Sequence, residues 1–279
     1  MDIVNAILNL AGLLLWVNWC ASRLDPLARP TASTLVGTLR KTDPARARAR
    51  HWAFLLILAG LLGLRALFYW QAGPALGWTP RLVLAATALP FRSDFLDRTL
   101  LFSGLSFVSA LGVLYVWLLF LCVVNRGVPD ADRFQRFVRQ HLGRLSRWHW
   151  TLQLFLQIAL VALVWFALRP LLARVQAVPA APSSAWWLAQ GVCVWAGWFL
   201  TVKYLVAAFL LGHLVNSYVY LGNQPAWEFV SATAGNLLQP LRWLPLRVGR
   251  VDFAPVAGIA LVFLLDHFAG PALARAFPL

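Results

Sequence analysis

The stretch LLFSGLSFVSALGVLYVWLLFLCVV, residues 100–124, decides the fold. It holds 25 residues and no charged side chain. A bilayer core about 30 Å thick needs about 20 apolar helical residues to cross it. In lipid a helix satisfies its backbone polar groups internally, so such a run reads as a transmembrane helix. Outward from it lie five more apolar segments, 3–21, 52–70, 150–168, 186–214 and 254–270. The last is shorter and carries Asp266 and His267. The segment 81–91 is apolar but short and contains Pro90, and reads as interfacial or external. The N-terminus lacks the basic leader of a signal peptide and reads as a retained first span.

Composition agrees with this reading. Of 279 residues, 61% are hydrophobic and only 12% charged, where soluble domains are nearer half and a quarter. The net charge of +14 would suggest nucleic acid in a soluble chain. In a membrane chain it points instead to anionic headgroups and to the positive-inside bias, so the expected partners are an anionic bilayer and other membrane proteins, not nucleic acid. Cys20, Cys122 and Cys193 are odd in number and widely spaced, which argues against a disulfide framework or a zinc site.

Loop charge sets the expected orientation. The loops 22–51, 125–149 and 215–253 carry sixteen Lys and Arg residues, against six in the other loops and the C-terminal tail. Both termini are therefore expected outside the cytoplasm, in a bacterial inner membrane. Trp19, Trp52, Trp148 and Trp150 would flank the cytoplasmic interface, and Trp70, Trp186 and Trp187 the opposite one, where indole rings favour the wet–dry boundary.

The cytoplasmic loops read as three copies of one unit. Each starts with Val-Asn at the end of a span: Val17-Asn18, Val124-Asn125 and Val215-Asn216. Each continues through a helix-like stretch to a basic end. Arg40-Lys41 ends the first, Arg144 and Arg147 the second and Arg242 the third. The middle copy is the clearest. Phe134, Phe137, Val138, His141, Leu142, Leu145 and Trp148 fall on one side at 3–4 spacing, with Arg133, Arg136, Arg139, Arg144 and Arg147 on the other. A basic amphipathic helix between spans should lie in the headgroup plane with its arginines on lipid. The first copy offers Leu24, Ala32, Leu35, Val36 and Leu39; the third offers Trp227, Val230, Ala234, Leu237, Leu238 and Leu241. The expected fold is thus an all-α membrane bundle of about six spans arranged as three hairpins. They would be 1–99 with an external linker, 100–185 and 186–279, each with an interfacial amphipathic helix.

The third copy has a further pattern. Asn236-Leu237-Leu238-Gln239-Pro240-Leu241-Arg242-Trp243-Leu244-Pro245 is followed by Val251-Asp252-Phe253-Ala254-Pro255 and an apolar span. Over residues 205–268 this resembles the YggT family of bacterial and plastid membrane proteins. Members have Leu-x-Pro-Ile-Arg, a nearby proline and a Gly-(Ile/Leu)-Asp-(Phe/Leu)-Ser-Pro entry into the next span. Here Asn236-Leu237 replaces an acidic residue and proline, and Ala254 stands where Ser is usual. Members typically have two such units, against three here. On physical grounds Pro240 should stop the loop helix, Pro245 keep the chain extended, and Asp252 cap the last span with Pro255 in its first turn.

No chemistry stands out. Phosphate-binding glycine loops and HExxH are absent from the sequence, and Glu228 is the only Glu, so no catalytic residue, cofactor site or metal site is assigned. Haem is the one cofactor the resemblance adds, because a plastid branch of the family is implicated in haem attachment. The five histidines, His51, His141, His149, His213 and His267, are then the ligands to consider. Arg65, near one end of its span, reads as snorkelling outward. Lys203, deep in the fifth span, costs on the order of 3 kcal/mol there. It lies about 16 Å from the span's end at Leu214, and Asp266 lies about 18 Å into the sixth span, so the two are expected to pair. The family resemblance and the scarcity of free polar groups favour a non-enzymatic scaffold, assembly factor or accessory subunit of a membrane complex. A transporter or channel component using Lys203 and Asp266 is the alternative.

Overall fold

The computed structural model describes residues 2–24, 44–84, 87–128, 133–175, 183–219, 224–241, 243, 246–248 and 251–276. These residues form an all-α membrane protein with two small β-hairpins. Its helices are α1 (Asp2–Leu24), α2 (Pro44–Ala75), α3 (Leu96–Val124), α4 (Arg133–Leu142), α5 (Trp150–Arg174), α6 (Ser184–Leu200), α7 (Val202–Tyr218), α8 (Pro225–Leu237) and α9 (Ala254–Ala276). Six helical runs are long and apolar enough to cross a bilayer, with α6 and α7 forming one run, Ser184–Tyr218. The last span is longer than its 254–270 core suggests, because α9 continues past Pro271 to Ala276. Residues 81–91 contain a hairpin of β1 (Arg81–Leu84) and β2 (Thr87–Pro90).

The chain divides into two compact units, Met1–Leu82 with Pro90–Leu111, and Val83–Leu89 with Gly112–Leu279. The division falls inside α3.

In the first unit α1 packs along α2 and the first half of α3. Gly12 makes this possible: a Cβ there would lie 2.9 Å from the Phe107 ring. Lipid tails are as apolar as leucine, so close backbone approach and polar bonds hold spans together, rather than exclusion of water. Ser103 Oγ donates to the Leu62 carbonyl at 2.8 Å, tying α3 to α2.

In the second unit small residues again set the contacts. A Cβ on Gly191 of α6 would lie 2.6 Å from Ala162 Cα of α5, and one on Gly112 of α3 would lie 2.3 Å from the Trp198 ring of α6. A core of Val116, Val202, Val206, Leu210, Ala234 and Leu238 joins α3, α7 and α8. Gly258 of α9 packs on Leu210.

The run Ser184–Tyr218 is broken at Thr201. Its amide and hydroxyl both bond the Trp198 carbonyl, three residues back, at 3.1 and 2.6 Å. A hydroxyl inserted in the ladder is a recognised cause of a helix bend. Trp117 Nε1 of α3 donates to that same hydroxyl at 2.9 Å and holds it in place.

Candidate functional site

The structure brings Lys203 and Asp266 together. Lys203 Nζ donates to Asp266 Oδ2 at 2.5 Å, between α7 and α9. The ammonium also lies 4.9 Å from the Tyr204 ring centroid. The side chains are 16% and 24% exposed. Each charge alone would be expensive in hydrocarbon, and the pair leaves no net charge.

Arg65 corrects an expectation. It does not snorkel: it is 2% exposed, in the middle of the span Trp52–Ala75. Its Nη1 donates to Asn9 Oδ1 at 2.7 Å, and its Nη2 donates to Asn5 Oδ1. Asn9 Nδ2 in turn donates to Ser106 Oγ of α3 at 3.0 Å. The guanidinium carbon stands 5.6 Å from the Tyr69 centroid and 5.5 Å from that of Phe102. Among the described residues no carboxylate pairs with it. The sequence did contain a signal for this site: Asp2, Asn5 and Asn9 recur at helical spacing on one face of α1.

The loop helix α4 has three sides, where sequence spacing suggested two. Gln135 and Val138 are buried against protein. Phe134 and Phe137 are exposed on a second side. Arg133 and Arg136 are exposed on a third, as are Arg144 and Arg147 in the short 3-10 turn that follows. Gly143, at φ +56°, makes that turn possible. Arg139 differs from the other four. It is half-buried, and its Nη2 donates to the carbonyls of Arg126 and Val128 at 3.3 and 3.0 Å, satisfying backbone just past the end of α3.

Two of the Val-Asn asparagines anchor loop helices. Asn125 is fully buried. Its Nδ2 donates to Thr233 Oγ1 at 2.8 Å, its Oδ1 accepts from Asn236 at 3.0 Å, and its carbonyl accepts from Gln135 at 3.1 Å. Asn216 donates to Ser231 of α8 at 3.3 Å. Asn18 donates back to the Leu14 carbonyl at 2.9 Å; the first loop stretch with Arg40 and Lys41 lies outside the described residues.

Around the motif loop, α8 ends at Leu237, and Pro240 sits in the 3-10 turn Gln239–Leu241. Strands β3 (Arg247–Val248) and β4 (Val251–Asp252) then pair antiparallel. Asp252 Oδ1 accepts from the Ala254 amide at 2.9 Å, capping α9, with Pro255 in its first turn. Arg242 and Pro245 lie outside the described residues.

The histidines have ordinary neighbours. His141 Nδ1 meets the Phe137 carbonyl at 2.9 Å, His149 meets Thr151 Oγ1 at 2.8 Å, and His267 packs edge-on against Phe268. His213 Nδ1 is buried with no partner among the described residues. The side chain of His51 is outside the description. Cys20, Cys122 and Cys193 form no disulfide with one another. Among the described residues no group of three or more His, Cys, Asp or Glu is placed to hold a metal ion. No family model, no curated protein and no solved structure matches the chain.

Proposed function

We propose that this chain is a non-enzymatic membrane scaffold, an assembly factor or accessory subunit of a larger membrane complex, related to the YggT family. On this reading it sits in a bacterial inner membrane with both termini outside the cytoplasm. Its three hairpins each carry a loop helix lying in the cytoplasmic headgroup layer. Arg133, Arg136, Arg144 and Arg147 then meet anionic lipid, while Phe134 and Phe137 enter its apolar layer.

One observation carries this reading: four pairs of polar side chains inside the second unit's spans are bonded from one span to another. Lys203 is bonded to Asp266, Trp117 to Thr201, Trp165 to Gln190 and Trp195 to Gln157. A solute path needs polar groups free to exchange partners; a scaffold needs them fixed. The outer surfaces of α1 and α9, whose spans are only 6% buried within the chain, are the faces offered to other membrane proteins.

The test is a photo-crosslinking residue at Ile7 or Leu265 in living cells. Discrete protein adducts at these positions are expected. Lipid adducts alone, together with solute flux in proteoliposomes that Lys203→Met abolishes, would replace the scaffold with a transporter.

A further inference from the structure

The flank of the Lys203–Asp266 pair carries two polar side chains that the chain leaves open. The pair joins two spans, Ser184–Tyr218 and Ala254–Ala276. One residue on from each partner stand Tyr204 and His267. Tyr204 is 56% exposed, and His267 is exposed as well. The Tyr204 hydroxyl bonds the Lys203 ammonium. An ammonium only donates, so the phenol oxygen accepts there and keeps its own O–H to give. His267 packs edge-on against Phe268 and has no hydrogen-bond partner among the described residues. A neutral imidazole offers one acceptor nitrogen. Hydrocarbon supplies a partner to neither group.

The same flank carries a pattern of sizes. Along α7, Tyr204, Ala208 and Leu211 are exposed at helical spacing, which puts them on one face. Along α9, His267, Phe263 and Ala260 are exposed at the same spacing, read in the opposite direction. The two helices run antiparallel, since Lys203 meets Asp266 and Leu210 meets Gly258. Counted from the ion pair, Tyr204 and His267 differ in level by two residues, about 3 Å of rise. Ala208 and Phe263 differ by the same amount, and so do Leu211 and Ala260. The first level sets a donor beside an acceptor. The second sets a small side chain beside a large one, and the third a large one beside a small one. Each stripe is therefore the complement of the other, in hydrogen bonding and in size.

We propose that this face binds a second copy of the chain, in a twofold dimer about an axis normal to the membrane. Such an axis preserves depth, so the α7 stripe of one copy meets the α9 stripe of the other level by level. Tyr204 donates its O–H to His267 of the other copy, Ala208 receives Phe263, and Leu211 fills the space over Ala260. The twofold makes each contact twice. A lipid tail in the same place would leave the hydroxyl and the imidazole unpaired. The inference rests on the reading of the outer surface of α9 as a contact face, and names what covers it.

The experiment uses the full chain in liposomes at low protein density, with Cys20, Cys122 and Cys193 replaced by Ala. Tyr204→Cys and His267→Cys copies carry different tags and are mixed. Each copy then holds one thiol, so any disulfide joins two copies. Oxidation should give the doubly tagged dimer, as should Leu211→Cys mixed with Ala260→Cys. Leu265→Cys, about 200° round the helix from His267, should give none. A second arm keeps the native cysteines and reads the monomer–dimer equilibrium by energy transfer between labelled copies. There Ala260→Leu should weaken dimerisation roughly tenfold by overpacking, and adding Leu211→Ala should restore most of the loss. Absence of the tagged dimer, an equal yield at Leu265, or a double variant no better than Ala260→Leu overturns the dimer. Capture of a different protein by a photo-crosslinker at Tyr204 in cells overturns it too. None of these results alters the adducts expected at Ile7, by which the scaffold reading is judged separately.

Discussion

Lys203 and Arg65 are both cations inside spans, and the protein treats them in opposite ways. Lys203 meets a carboxylate and stays partly exposed, at 16%. Arg65 is almost wholly enclosed, at 2%, and meets two amides and the rings of Tyr69 and Phe102. An ion pair cancels charge and tolerates an open flank. A guanidinium clasped by amides keeps its charge and so has to be enclosed by aromatic rings. The first arrangement fits a structural tie between α7 and α9. The second ties α1 to α2.

The hardest test of this contrast is to break the pair. Lys203→Met should destabilise by about 3 kcal/mol because it strands Asp266, and adding Asp266→Leu should restore most of that loss. Unfolding in mixed micelles measures both. If the double variant is no better than the single one, the pair does more than neutralise.

Next is the clasp. Asn9→Leu removes one acceptor from a charged donor and should cost about 2 kcal/mol. Asn9→Asp, which keeps an acceptor at that position, should not carry this cost. Rescue by an apolar residue would mean that Arg65 has another partner. The neutral bond Trp117–Thr201 sets the scale below these charged cases: Trp117→Phe should cost about 1 kcal/mol.

The smallest effect on stability is expected from the arginines of α4 and the turn after it. Replacing Arg133, Arg136, Arg144 and Arg147 with Gln should change stability by less than about 0.5 kcal/mol. Anionic-vesicle affinity should fall by at most about 1 kcal/mol per charge. Arg139→Gln should do the reverse, loosening the chain beyond α3 with little effect on vesicle binding. Equal behaviour of all five would erase the distinction.

These residues also mark what the sequence could disclose. Six apolar runs were legible because each is longer than a soluble core needs. Lys203 and Asp266 were legible because a charge in such a run stands out and helical rise converts position into depth. Arg65 was misread because distance along a helix says nothing about which neighbour covers it. The rings of Tyr69 and Phe102 lie against it, and the clasp comes from asparagines more than fifty positions away. Gln135 was missed for a related reason: it faces Asn125 across a loop, and a polar residue on a basic helix gives no sign of burial. The break at Thr201 depends on Trp117, 84 positions earlier.

That break has a bearing on bilayer thickness. A run of 35 residues is about 52 Å long at 1.5 Å per residue, against a hydrocarbon core of about 30 Å. One straight rod could absorb the surplus only by a steep tilt or by protruding. Two rods joined at Thr201 need not share one axis, and the threonine hydroxyl occupies the carbonyl that the bend exposes. The break therefore divides the surplus length between two shorter rods, and Trp117 fixes the joint between them.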